Sequence, residues 1–300
     1  MRISIENITK LLNANRIGDN ETEIDWMLTD SRSLCFAEES LFFALKSKRN
    51  DGHKYIPDLY KRGVRNFVVS DLPKDLNGYE DANFLQLPHP LKGLQRLAEK
   101  HRERFDVPVI GITGSNGKTI VKEWLYQLLS PERIITRSPR SYNSQIGVPL
   151  SVWLMNESTE LGIFEAGISE MGEMEALQSI IRPSIGVLTN IGGAHQENFY
   201  SVEDKCIEKL ALFKDCDVVI YDGDNELISR CISKSLFSAR EIAWSRKDSE
   251  RPLYIESVTK EVSSTTIRYR YLGMPNAYTI PFIDDASIEN SLHCLAVSLY

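Results

Sequence analysis

The chain has 300 residues, of which 42% are hydrophobic and 26% charged, and its formal net charge is −7. This composition is ordinary for a globular protein, and the length suggests two domains of about 150 residues each. The net negative charge argues against nucleic acid as a partner, because phosphate backbones bind to basic surfaces. No apolar run approaches about 18 residues, so we expect no insertion into a membrane.

Five cysteines are scattered through the chain without a C-x-x-C pair. An odd, unpatterned count is typical of reduced thiols in a cytoplasm rather than of a disulfide framework. The first seven residues include an acid and an amide where a signal peptide would be apolar. We therefore expect a cytoplasmic protein.

Residues 1–105 are predicted to form an N-terminal α/β domain. Apolar residues recur at helical spacing near the start of the chain, and short apolar runs predict buried strands. Strands are predicted at 41–45, 67–69 and 84–87, and helices at 55–61 and 91–105. The segment 106–108, Asp-Val-Pro, is the predicted boundary of this domain.

Residues 106–300 are predicted to form a P-loop domain with a mostly parallel sheet flanked by helices, because strand and helix patterns alternate. Strands are predicted at 109–112, 134–136, 161–166, 185–189, 218–221 and 241–244. Helices are predicted at 118–129, 148–155, 174–181, 202–213, 226–234 and 287–300. Between 253 and 282 the pattern predicts an antiparallel meander on the sheet edge. In such sheets ligands bind beyond the C-terminal ends of the strands.

A glycine-rich turn follows the first of these strands and precedes a helix. Its residues are Thr113, Gly114, Ser115, Asn116, Gly117, Lys118 and Thr119. Glycines let the backbone approach a phosphate, and the helix N-terminus adds partial positive charge. Lys118 is predicted to reach the terminal phosphates and Thr119 to hold magnesium. The strict pattern needs a glycine where Ile112 stands, so an ordinary turn before a surface helix is the alternative.

Polar residues follow three neighbouring strands. Glu165 ends a buried strand, where its carboxylate could ligate magnesium or could simply be exposed. His195 follows the strand 185–189 and is a candidate ligand, although a lone histidine is often a surface residue. Asn143 could hydrogen-bond a phosphate or a substrate, or it could form a turn.

A plausible capping box at Ser201 opens the predicted helix 202–213. On the residue pattern alone, Lys209 on this helix is predicted to be a solvated lysine, alongside Lys205.

These motifs, in this order, resemble those of the Mur ligases, the ATP-dependent amide-forming enzymes of bacterial peptidoglycan synthesis. The matching segments are 113–119, 146–150, 165–169, 172–173 and 189–195. The family loop reads T-G-x-x-G-K-[ST], so Ile112 is no departure from it. In the first domain, the segments 30–32, 41–45 and 51–53 resemble the UDP-sugar-binding domain of the later family members.

The resemblance implies an enzyme that uses ATP and Mg²⁺ to join D-alanyl-D-alanine to UDP-MurNAc-tripeptide through an acyl phosphate. It also implies that the family's third, C-terminal domain is absent from these residues, and we expect a monomer. Two alternatives are open. One is a ligase of the same family that adds a diamino acid, against which the Gly-Gly-Ala-His form of residues 192–195 argues. The other is a nucleotide-binding module that is inactive without the third domain.

The resemblance also implies roles for the residues around ATP. Lys118 and the loop amides bind the phosphates, Thr119 and Glu165 touch one magnesium ion, and His195 touches a second. Lys209 aligns with a lysine that several members carry as a carbamate, which reverses the solvated interpretation.

Further roles follow for the substrate side. Ser31 and Arg32 would contact the uridine nucleotide, and Asn143 the substrate. Asn290 lies in the helix whose family counterpart is near the adenine. One departure concerns the lysine motif, where the glutamate common two residues after the carbamate lysine is Ala211 in this chain.

Overall fold

The computed structural model describes residues 2–192, 198–235 and 238–300. It divides into two compact units, a first that ends at Arg104 and a second that runs from Phe105 to Tyr300. Both units combine helices with mostly parallel strands, which confirms the predicted α/β class. His195 lies outside the described residues.

The first unit is built around a five-stranded sheet. The strands of the unit, which include a separate pair, are β1 (Ile3–Ser4), β2 (Asn15–Ile17), β3 (Glu23–Ile24), β4 (Trp26–Leu28), β5 (Ser40–Phe43), β6 (Asn66–Val69) and β7 (Asn83–Gln86). Its helices are α1 (Ile5–Leu12), α2 (Ile56–Lys61) and α3 (Pro90–Arg102). The sheet order is β2-β7-β6-β5-β4, parallel except for the β2–β7 pair, while β1 and β3 form a separate antiparallel pair.

The predicted helices and strands of this unit are present, with ends that differ by a few residues. All four residues of β5 and of β6 are buried, as is typical of parallel strands that are covered on both faces. The strands β1 to β4 were not predicted, because two or three residues carry too little alternation to distinguish a strand from a loop.

The second unit carries a larger sheet. Its strands are β8 (Val109–Thr113), β9 (Ile135–Arg137), β10 (Leu161–Glu165), β11 (Ile185–Leu188), β12 (Val218–Asp222), β13 (Arg240–Ser245), β14 (Leu253–Lys260), β15 (Thr265–Tyr271) and β16 (Met274–Ile280). Its helices are α4 (Lys118–Leu129), α5 (Gly147–Val152), α6 (Glu173–Ile181), α7 (Val202–Leu210), α8 (Glu226–Lys234) and α9 (Asp285–Leu299). The predicted helix 202–213 ends earlier, in a 3-10 turn at Ala211–Phe213.

The strand order is β16-β15-β14-β13-β12-β11-β8-β10-β9. Every pair from β9 to β14 is parallel, and β14, β15 and β16 form the predicted antiparallel meander at the edge. The chain runs from β8 to β9 and β10 on one side and then crosses to β11 on the other. The carboxyl end of β8 is therefore a topological switch point, where ligands bind in open α/β sheets.

The core of the second unit holds β8 in place. All residues of β8 and β10 are buried. Helices α4 and α9 pack on the sheet through Val121, Leu125, Ile288 and Leu292, which belong to one apolar cluster. Burial of each such side chain stabilises the fold by about 1.5–3 kcal/mol, so the first residue of α4 is rigidly positioned.

Candidate functional site

The glycine-rich loop joins the end of β8 to the start of α4. Gly114 and Gly117 have φ angles of 146° and 82°, and Gly117 is the N-cap of α4. A Cβ atom at Gly114 would overlap the Thr189 hydroxyl, and one at Gly117 would overlap the Asn290 amide oxygen. Both the backbone conformation and the close packing therefore require glycine.

The segment after β11, residues 189–192, braces this loop through hydrogen bonds. Ser115 N donates to Asn190 O at 2.8 Å, and Asn116 N donates to the Asn190 side-chain oxygen at 3.0 Å. The Thr189 hydroxyl donates to Asn116 O at 2.5 Å, and Gly192 N donates to the Ser115 hydroxyl at 2.8 Å. These hydrogen bonds were not predicted from the sequence, in which residues 189–195 were of interest for the candidate ligand His195.

A buried histidine fixes the bracing segment to two further elements. His293 on α9 is fully buried, and its Nε2 lies 2.9 Å from Thr189 O. Trp244 Nε1 on β13 donates to His293 Nδ1 at 3.4 Å, so Nε2 carries the proton and donates to the Thr189 carbonyl. Burial disfavours the charged ring and lowers the pKa of His293 to about 4, so the imidazole is neutral at pH 7.

Three lysine ammonium groups reach the loop. Lys118 Nζ lies 2.8 Å from Gly114 O, and Lys209 Nζ lies 3.2 Å from the same oxygen. Lys205 Nζ donates to Gly192 O at 2.5 Å. Lys205 and Lys209 are four residues apart on α7, so they lie on the same face of the helix.

The prediction from pattern alone that Lys205 and Lys209 are solvated is wrong, because their exposed fractions are 2% and 3%. Ser201 is the N-cap of α7, as the predicted capping box requires, since its hydroxyl accepts from Asp204 N at 3.0 Å. Burial, followed by the charges of Lys118 and Lys205, lowers the pKa of Lys209 to about 7. Burial is also the main cause that lowers the pKa of Lys118.

Glu165 lies at the end of β10 and is completely buried, so it is not the exposed acid of the alternative interpretation. Its Oε2 lies 3.1 Å from the Thr119 hydroxyl and 3.3 Å from Asn143 Nδ2. The structure thus brings together three predicted site residues from β10, α4 and the turn before α5. Asn143 is also held through its backbone, because its carbonyl oxygen accepts a hydrogen bond from Gly167 N at 2.8 Å.

Lys122, which neutralises Glu165, was not predicted from the sequence to be part of the site. Lys122 on α4 is completely buried, and its Nζ lies 2.9 Å from Glu165 Oε1 and 3.2 Å from Glu123 Oε1. It also donates to Ser138 O at 2.8 Å. Its position four residues after Lys118 places both lysines on one face of α4.

Two oxygen atoms suited to magnesium lie 3.1 Å apart at the first turn of α4. The Thr119 hydroxyl and Glu165 Oε2 are hard donors, as Mg²⁺ prefers. Within the described ranges, no cluster of three or more His, Cys, Asp or Glu side chains could hold a metal. Thr119 and Glu165 therefore fit an ion that takes its other ligands from phosphates and water.

A cavity of about 140 Å³ opens beside the loop. It is lined by Gly114, Ser115, Lys118, Asn143, Ser144, Gly167, Ile168, Ser169, Lys205 and Lys209. Backbone amides at a helix N-terminus and lysine ammonium groups on one concave surface are suited to an anion. Asn290 is buried next to Gly117, so the structure places it against the loop.

The predicted uridine-binding residues belong to the first unit, in a 3-10 turn at Ser31–Ser33. Asp30 caps this turn by accepting from Arg32 N at 3.0 Å and from the Arg32 guanidinium at 2.6 Å. Hydrogen bonds from Arg32 lower the pKa of Asp30. Arg62 donates to Ser31 O at 2.9 Å. The turn is thus fixed, while the Arg32 side chain is 88% exposed.

The strand, glycine-rich turn and helix have the arrangement of a P-loop unit, and residues 112–298 match the family model of the Mur ligase middle domain. Because the match covers more than half of the chain, the chain belongs to the Mur ligase family. The resemblance inferred from the motifs is thereby confirmed.

Two relatives that match most of this chain carry the same protein name. The chain is 30% identical over 286 residues to the UDP-N-acetylmuramoyl-tripeptide–D-alanyl-D-alanine ligase of Bacillus subtilis, over 93% of this chain and 59% of that protein. It is 34% identical over 212 residues to the ligase of the same name from Synechocystis, over 69% of this chain and 46% of that protein. The chain thus spans about three fifths or less of the length of these relatives.

Solved structures show the same fold. A crystal structure of MurF from Acinetobacter baumannii matches 100% of this chain and 65% of its own, with a TM-score of 0.85 and 21% identity. The MurF ligase of Thermotoga maritima in complex with ADP matches 91% of this chain and 62% of its own, with a TM-score of 0.79 and 22% identity. None of the helices in the described ranges is long and apolar enough to cross a membrane.

Proposed function

We propose that this chain provides the ATP site and the UDP-substrate domain of a ligase that joins D-alanyl-D-alanine to UDP-MurNAc-tripeptide. The observation that carries the proposal is the cavity beside the loop, which Gly114, Ser115 and Lys118 line, together with the contact of Thr119 with Glu165 at 3.1 Å. The names of the relatives from Bacillus subtilis and Synechocystis support the choice of substrates.

The proposed chemistry needs activation, because a carboxylate has no leaving group for an amine to displace. Transfer of the terminal phosphoryl group of ATP to the tripeptide carboxylate gives an acyl phosphate and ADP. The D-alanyl-D-alanine amine attacks the acyl carbon, the amide bond forms, and phosphate leaves with the electron pair of the broken C–O bond. Lys118 and the loop amides hold the phosphates in line and offset their charge, so no protein nucleophile is needed.

Thr119 and Glu165 are the residues that would hold magnesium in this proposal. The ion, when bound, would offset negative charge on the transferring phosphoryl group. Lys122 orients Glu165, because its Nζ lies 2.9 Å from Glu165 Oε1 while Oε2 faces Thr119 and Asn143. His195 as the ligand of a second ion stays a prediction.

Lys209 is proposed to carry a carbamate. With a pKa of about 7, a large share of its amine is neutral at pH 7, and the neutral amine attacks CO₂. The product loses one proton and becomes a carbamate anion, which the neighbouring ammonium group of Lys118 would stabilise.

The first unit is proposed to be the UDP-MurNAc-peptide-binding domain, residues 1–105, followed by the central ATP-binding domain, residues 106–300. Arg32 supports this assignment, because its exposed guanidinium stands on a fixed turn and a guanidinium binds diphosphate oxygens bidentately. Ser31 in the same turn would supply a hydroxyl to the nucleotide, and Asn143 in the second unit an amide to the substrate.

The proposal is tested by assaying amide formation and ADP release by the whole natural protein. We expect turnover with ATP, UDP-MurNAc-tripeptide and D-alanyl-D-alanine, and a loss of more than about a hundredfold in Lys118→Ala, because one charge contact to the phosphoryl group is removed. Lys214→Ala is the matched control, since Lys214 is exposed after α7. Full turnover by Lys118→Ala would exclude the proposed role of Lys118.

The same assay separates the alternative functions. A diamino acid that replaces D-alanyl-D-alanine as the accepted amine, with UDP-MurNAc-dipeptide as the acceptor, would favour the other ligase of the family. Binding of ATP and of the UDP-substrate without any phosphate release would favour a nucleotide-binding module instead.

A further inference from the structure

Lys205 is a buried lysine at the cavity for which the proposed function gives no direct role. Its Nζ donates to Gly192 O at 2.5 Å, its exposed fraction is 2%, and it lines the cavity together with Lys118 and Lys209. Burial of a lysine costs free energy because the ammonium group loses its hydration. A buried lysine that borders a small polar cavity therefore needs an explanation.

The electrostatics of the cavity favour an anion. The ammonium groups of Lys118 and Lys205 both repel the ammonium group of Lys209. The carboxylate of Glu165 is already in contact with Lys122 Nζ at 2.9 Å. An anion in the cavity would reduce the mutual repulsion of the three lysines.

The position of Lys205 indicates which part of a nucleotide it would meet. In a P-loop, the backbone amides cradle the inner phosphates and the loop lysine reaches the outer ones. Lys205 approaches from α7 and shares the cavity with Gly167–Ser169, which follow β10. Because Lys118 and Lys205 line the same cavity, an outer phosphate that Lys118 binds there would also meet Lys205.

We propose that Lys205 binds the terminal phosphoryl group of ATP as a second lysine beside Lys118. The proposal rests on the proposed function, since it presumes ATP in the loop. A phosphate oxygen can replace the Gly192 carbonyl as the acceptor, because a charge-assisted hydrogen bond is stronger than one to a neutral oxygen. Lys205 is then a phosphate-binding residue that distinguishes ATP from ADP.

The test compares two ligands that differ in the terminal phosphate. Isothermal titration calorimetry on the 300-residue chain measures the dissociation constants of ADP and of β,γ-methylene ATP, which is not hydrolysed. We expect Lys205→Gln to weaken the ATP analogue about tenfold and to change ADP affinity less than about twofold. Lys205→Arg keeps the charge and should retain most of the difference. Lys214→Gln, at an exposed lysine, is the matched control.

Three results would overturn the proposal. Equal weakening of both ligands by Lys205→Gln would show that Lys205 only holds Gly192 in place. Unchanged affinity for both would show that Lys205 does not meet a phosphate. Loss of a ¹³C-carbamate signal from Lys209 with an unchanged ratio of the two affinities would make Lys205 the counter-ion of that carbamate. Since unmutated protein that binds neither ligand would refute the ATP site itself, failure of the proposed function is recognised separately.

Discussion

At the scale of single residues, the contact between Lys122 and Glu165 decides the chemistry of the site. Both side chains are completely buried, and Lys122 Nζ lies 2.9 Å from Glu165 Oε1. The other carboxylate oxygen faces Thr119 and Asn143. One oxygen is therefore neutralised within the protein, while the second is held towards the position where a metal ion would lie.

Replacement of Lys122 by Met should destabilise the protein by about 3–5 kcal/mol, because Glu165 is left as a buried charge without its cation. Urea denaturation followed by circular dichroism measures the loss. The double variant Lys122→Met/Glu165→Gln should recover a large part of it, since neither charge is then present. Lys214→Met is the control and should change stability by less than about 0.5 kcal/mol. An equal loss in the single and double variants would contradict the ion-pair explanation.

At the scale of elements, the conformation of the loop between β8 and α4 depends on the residues that pack against it. Gly117 is the N-cap of α4 and has a φ of 82°, and Gly172 is the N-cap of α6 and has a φ of 81°. A Cβ atom at Gly117 would overlap the Asn290 amide, whereas one at Gly172 would meet nothing within 4 Å. The two glycines therefore separate the cost of the backbone conformation from the cost of packing.

Gly172→Ala should cost about 1 kcal/mol, the strain of a left-handed residue with a side chain. Gly117→Ala should cost at least about 1 kcal/mol more, and it should weaken ADP binding because the loop must move. Chemical denaturation and calorimetry measure the two effects. Asn290→Ala combined with Gly117→Ala should restore part of the stability. Equal costs at the two glycines would show that packing behind the loop is unimportant.

A second element-scale link is His293, which joins α9 and β13 to the segment that follows β11. Its pKa of about 4 lies below the ordinary value of 6.5, so the unfolded chain binds the proton more tightly than the folded one. Stability should therefore be lost as the pH falls from about 6.5 to 4, by up to about 1.4 kcal/mol per pH unit.

The variant His293→Gln lacks this titration, so its stability should depend less on pH than that of the unmutated protein over the same range. Thermal unfolding at pH 4.5, 5.5 and 6.5 provides the comparison, in which the titration of other groups cancels. His89→Gln, at an exposed histidine, should behave like the unmutated protein. Identical pH dependence in both variants would show that His293 is not the buried neutral group.

At the scale of the whole molecule, the chain consists of two compact units with separate sheets. Each sheet has its own buried strands and its own apolar cluster. The residues proposed to bind ATP and magnesium that the structure describes all come from the second unit, and Ser31 and Arg32 come from the first. Binding of ATP and of the uridine nucleotide can therefore be separated experimentally.

A fragment of residues 105–300 should fold cooperatively and bind ADP within about threefold of the affinity of the whole chain, because its core is complete by itself. Circular dichroism and calorimetry test both points. The fragment of residues 1–104 is the complement and should bind the uridine nucleotide but no ADP. A fragment 105–300 that is unfolded, or that does not bind ADP, would contradict the independence of the second unit.

The sequence was most informative where local rules apply. The helix α4 was predicted with the observed bounds, and the glycine-rich turn was predicted between a strand and this helix, because glycine conformation and helix starts depend on a few neighbouring residues. The parallel strands were also predicted, since each is a short apolar run. The bracing by Thr189 and Asn190 was not predicted, because it joins segments more than 70 residues apart that meet only when β11 pairs with β8.

The family, the α/β class and the position of the glycine-rich loop follow from the sequence alone, because they depend on local patterns and on motifs in a fixed order. The tertiary structure decided which charged residues are buried. Lys122, Lys205 and Lys209 carry no local signal of burial, since a lysine on an amphipathic helix is ordinarily solvated. Their burial follows from the way α4 and α7 pack around the end of β8, which depends on contacts between distant parts of the chain.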